Sequence, residues 1–94
     1  MRYNVDVVRI RENSITLNGW AIGKTPEEEV TFSIEDASKK PITFQYVPTR
    51  RDDVSQIYFK KIVDKDFGFD IRFEYERGCD YYLIIQCGSR RARI

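Results

Sequence analysis

Two-residue alternation of apolar and polar side chains recurs along most of this chain and leaves it little choice of backbone. Successive side chains of an extended strand point to opposite faces, so such alternation builds sheets with one apolar face. Val8 and Ile10 share one face, with Arg9 and Arg11 on the other. Glu12-Asn13 turns the chain, after which Ile15, Leu17, Gly19 and Ala21 oppose Thr16, Asn18 and Trp20. The short separation of these two runs predicts a hairpin. Val30, Phe32 and Ile34 then alternate with Thr31, Ser33 and Glu35. After a polar turn over residues 36–41, Ile42, Phe44 and Tyr46 form a fourth strand, ended by Pro48, which has no N–H for a ladder.

Alternation resumes at Gly68, with Phe69, Ile71, Phe73 and Tyr75 opposite Asp70, Arg72, Glu74 and Glu76. Tyr81, Leu83, Ile85 and Cys87 alternate with Tyr82, Ile84 and Gln86, and residues 90–94 begin a last strand. Two stretches interrupt the pattern. Gly23-Lys24-Thr25-Pro26 with Glu27, Glu28 and Glu29 reads as a solvated loop. Residues 49–66 form a long charged connection in which Val54, Ile57 and Tyr58 are spaced for one short helical turn. No helix is long enough to link parallel strands, so the expected fold is all-β. It is an antiparallel, immunoglobulin-like β-sandwich of about six to eight short strands. Residues 1–94 make one domain, and the strand broken off at Ala92–Ile94 suggests a piece excised from a longer protein.

Composition narrows the chemistry. There is no histidine, which removes the commonest general base and metal ligand together. No catalytic residue, metal site or cofactor is expected. Cys79 and Cys87 flank one extended segment roughly 26 Å long, too far apart for a disulfide, so both are expected as free thiols. The net charge of +1 offers no field for nucleic acid. No apolar run is long enough to insert in a membrane and no signal-peptide start is visible, so the expected location is the cytoplasm. Trp20 reads either as a stacking platform for a sugar or, more simply, as a cap on the core or a cover over a loop. Arg50 and Arg51 read as anion ligands, or as cations neutralised by Asp52 and Asp53. Of Tyr81 and Tyr82, which face opposite ways, only one can be in the core.

Beyond these local readings, the stretch Ser14-Ile15-Thr16-Leu17-Asn18-Gly19-Trp20-Ala21 resembles a strand of a β-sandwich accessory domain found beside bacterial family-two-type glycosyltransferases. Arg50-Arg51-Asp52-Asp53-Val54, Phe67-Gly68-Phe69-Asp70-Ile71 and Tyr81-Tyr82-Leu83 resemble further motifs of that domain, in the same order. The resemblance implies a non-catalytic domain preceding an enzyme that builds rhamnan or teichoic-acid-like polymers, working at the inner face of the membrane. Its expected partners are the catalytic domain of the same chain, an acceptor glycan or a second copy. Trp20, Arg50, Arg51, Asp53 and Tyr82 are the candidate binding residues. Asp64-Lys65-Asp66 spells the acidic metal motif of the transferases, but outside the strand–helix–strand setting that motif requires.

Overall fold

In the computed structural model, which describes residues 1–94, the alternating segments become eight strands and the long connection becomes a helix. The strands are β1 (Arg2–Ile10), β2 (Ser14–Ile22), β3 (Thr31–Asp36), β4 (Pro41–Ile42), β5 (Gln45–Thr49), β6 (Gly68–Glu74), β7 (Tyr81–Cys87) and β8 (Arg90–Arg93). Helix α1 (Asp52–Phe59) lies between β5 and β6. Every strand pairing is antiparallel. One sheet runs β1-β2-β6-β5 and the other β4-β3-β7-β8. Taken in chain order, these are the A-B-E-D and C-F-G sheets of an immunoglobulin sandwich, with one extra short strand beside C. Tyr81, at the start of β7, accepts a hydrogen bond on its hydroxyl from the Glu76 N–H at 2.9 Å. It pins the corner before this strand much as the corner tyrosine of immunoglobulin sandwiches does.

The alternation of β1 contains a fault, Val5-Asp6-Val7-Val8, and the backbone answers it with a bulge. Val5 pairs with Gly19 and Val7 with Asn18, so Asp6 is the unpaired extra residue. The extra residue resets the phase and puts Tyr3, Val5, Val8 and Ile10 on the same inner face. Between the sheets, Phe69, Ile71 and Phe73 of β6 pack with Ala21, Ile34, Leu83 and Ile85. Burying each of the larger side chains contributes roughly 1.5–3 kcal/mol. A smaller cluster, Ile22, Val54 and Phe67, seats the helix, with Trp20, Tyr58, Phe59 and Val63 packed around it.

Three expectations need correction. The fourth strand is two strands in different sheets: Pro41–Ile42 pairs with β3, and Gln45–Thr49 pairs with β6. Thr43 and Phe44 carry the chain across, and Pro48 sits within β5, tolerated because β5 is a sheet edge. The single helical turn is two full turns. Asp52 and Asp53 complement its N-terminal dipole, and Lys60 closes it in the left-handed region at φ 60°. Ser55, buried, donates to the Lys61 carbonyl at 2.6 Å and accepts from the Val63 N–H at 2.9 Å, fixing the chain beyond the helix. Finally, Ile84 belongs by alternation to the outer face of β7, yet it is only 2% exposed.

The cause of that burial is visible in the register. Ser33 and Arg93 lie directly opposite Ile84 on the flanking strands. Arg93 lays its guanidinium 3.7 Å from the centre of the Tyr82 ring and donates to Glu35 at 2.8 Å. Long polar side chains thus roof an apolar one.

Candidate functional site

Arg51 donates three hydrogen bonds to two carboxylates. Its Nε and NH2 donate to the two carboxylate oxygens of Asp53 at 3.0 and 2.9 Å, a bidentate pair. Its NH1 donates to Asp6, the bulge residue of β1, at 2.7 Å. A side chain rooted beside β5 therefore reaches across the outer face of its sheet to the opposite edge strand. Gly68 makes room for it: a Cβ there would lie 2.7 Å from Arg51 Cγ and would collide with the Thr49 hydroxyl. Asp6 is itself held by the Asn4 side-chain amide at 2.5 Å.

These contacts set the ionisation. Arg51 and the backbone N–H of Val54 hold the Asp53 carboxyl down at about 2, and Arg51 also lowers Asp6. A depressed carboxylate pKa stabilises the fold above the unfolded value, near 4, and that stabilisation fades as pH falls toward the folded value. The thermal midpoint is therefore expected to fall between about pH 4 and pH 2, and Arg51→Ala to flatten that slope. Equal slopes for the two proteins in melts across this range would contradict the clamp.

Arg50 joins its own pair of acids, donating to Asp52 at 2.5 Å and to Asp64 at 2.7 Å. Asp64 is thus spent on an ion pair, while Lys65 reaches back to the Pro26 carbonyl at 2.9 Å. No group of three or more Cys, Asp or Glu side chains is placed to hold a metal ion.

Trp20 lies half-buried on the outer face opposite Gly68, its ring 5.1 Å from that of Tyr58 on α1. The Arg2 guanidinium lies over the Tyr58 ring, 5.2 Å from its centre. Together with Met1, Tyr3 and Asn4 these residues line an open groove of about 460 Å³. Gly19, next to Trp20 in the chain, faces the other way, against Phe69 and the Asn4 carbonyl.

Trp20, Arg51 and Asp53 are therefore brought to one end of one sheet, Arg50 lies beside them, and Tyr82 stands on the other sheet under Arg93. Sequence reasoning missed Asp6 and Tyr58. The broken alternation at Asp6 was the available signal for the first.

The acidic loop is not simply solvated. Glu28 accepts from the backbone N–H groups of Lys24 at 2.9 Å and Thr25 at 3.3 Å, from the Cys87 thiol at 3.2 Å, and from Arg90. These bonds, the thiol's foremost, lower the Glu28 pKa, whereas burial and then Glu28 raise that of Cys87. Cys79 is exposed and Cys87 buried. One thiol per chain is expected to react with a disulfide reagent in the native state, and the second only on unfolding. Rapid reaction of both would refute this placement.

The most apolar concavity is a cleft of about 580 Å³ between the sheets, between Val5, Val8, Ile15 and Leu17 on one wall and Tyr81 and Ile94 on the other. No helix is long and apolar enough to cross a membrane. No protein-family model, no curated protein and no solved structure matches the chain.

Proposed function

We propose that this domain is a non-catalytic accessory module of a bacterial glycosyltransferase of cell-surface polysaccharide synthesis, positioning the catalytic domain, a partner or the acceptor glycan. One observation carries it: the side chains behind the motif resemblance are spent on the framework. Arg51 ties β1 to the helix over Gly68, Arg50 holds Asp52 and Asp64, Trp20 seats Tyr58, and Tyr82 lies under Arg93. A sandwich whose distinctive residues hold it together suits a module that acts through its surface. The module would work in the cytoplasm, with its parent at the inner face of the membrane. Reading the gene around the 94 codons tests this: a nucleotide-sugar transferase domain is expected in the same frame, and its absence would refute the proposal.

A second reading, a carbohydrate-binding module in its own right, is favoured by the groove beside Trp20 and Tyr58. Trp20 is the only tryptophan, so its emission reports on that groove alone. Titration with neutral rhamnose- or glucose-based oligosaccharides would shift the emission saturably if a sugar stacks there. Unchanged emission at about 10 mM sugar would remove this reading, since binding that weak falls below about 3 kcal/mol.

A further inference from the structure

The inner face of β1 is only partly covered by the other sheet. Val8 and Ile10 point inward by register, yet they are 55% and 68% exposed. The far wall of the cleft includes Tyr81, Leu83 and Ile94, the last of these just past β8, which is the edge of the other sheet. Soluble domains rarely leave a continuous apolar strip open unless something docks on it.

The two edges that border this cleft differ. That of β1 is broken by the Asp6 bulge and braced by Arg51, devices that discourage pairing. That of β8 is regular. Ile94 exchanges both backbone hydrogen bonds with Leu83, each at 2.9 Å. Alternation of the ladder then directs the N–H and C=O groups of Arg91 and Arg93 outward, to the free side. The side chains of Arg91 and Arg93 share a single carboxylate, Glu35, which is itself only 13% exposed. Arg93 hydrogen-bonds it, and Arg91 approaches only to 3.8 Å. Positive charge is left over beside the open edge.

We infer that this cleft is a docking groove for an extended polypeptide segment that alternates apolar with acidic residues, added as a further strand on β8. Residues of the segment opposite Arg91 and Arg93 would be acidic and lie on the outer face. Those between them would point inward and cover Val5, Val8 and Leu17. A second copy of this chain fits poorly, because pairing β8 with β8 sets arginines against arginines. The inference rests on the accessory-module reading, to which it assigns a docking surface.

The test is an amide NMR titration of the 94-residue chain with the end-blocked hexapeptide Glu-Val-Glu-Val-Glu-Val and its lysine counterpart. Expected are saturable shifts at Arg91, Arg93, Val8 and Leu17, slowed exchange of the Arg91 and Arg93 amides, and at least tenfold weaker binding of the lysine peptide. Arg91→Glu, at an exposed position, should reverse the preference between the peptides. Equal affinity for both, shifts elsewhere, no binding at about 1 mM, or self-association covering the same residues would each overturn it. Such a failure leaves the gene-context test of the accessory module untouched.

Discussion

Gly19→Ala is expected to destabilise the domain by about 3 kcal/mol and lower its thermal midpoint by roughly 12–24 °C. A methyl group at this position would point into the core, 2.8 Å from Phe69 Cζ, and would also strike the Asn4 carbonyl. The ring can move slightly. The carbonyl cannot, because the bulge of β1 fixes the backbone there. Gly78→Ala supplies the contrast: φ is +81° but the surroundings are open, so only the local strain of about 1–2 kcal/mol is felt. If Gly19→Ala melts within a few degrees of the parent, the pairing of β1 with β2 at the bulge has been placed wrongly.

Phe69→Ala is the second large effect, expected at about 3–5 kcal/mol. Phe69 is 1% exposed and meets Phe32 across the sheets at 4.9 Å between ring centres. A domain of this size has roughly 5–14 kcal/mol of stability in all, so the variant is expected to lose a large fraction of it. Tyr46→Ala, removing an exposed ring that touches Phe32 from the edge strand, is expected to cost far less. Similar urea midpoints for the two variants would contradict the placement of the core on β6.

The antiparallel sandwich was legible because most strands keep one apolar face, and alternation reports that directly. It failed where a residue changes role inside a run. Ile42, Phe44 and Tyr46 alternate without a break, but the chain changes sheets between the first and the last of them. Nothing local marks the crossing, since both sheets want an apolar side chain inward. Ile84 looked like a surface residue because its cover comes from Arg93 and Tyr82, and side-chain roofing leaves no periodic trace. Glu28 was hidden for the same reason: its partners Cys87 and Arg90 lie about sixty positions away. The pairing of Arg51 with Asp53 followed from adjacency. The reach of Arg51 to Asp6 depends on the bulge and on Gly68, which only the folded chain brings together.

If, as proposed, the domain is an accessory module of a glycosyltransferase and positions rather than reacts, its removal should separate two activities of the polypeptide that carries it. The direct measurement compares that polypeptide with and without residues 1–94, assaying turnover of the nucleotide-sugar donor on a small acceptor and elongation of the polymer. Donor turnover is expected to stay within about twofold, while elongation falls by about tenfold or more. Loss of donor turnover in a folded truncated enzyme, or elongation unchanged by the deletion, would contradict the account.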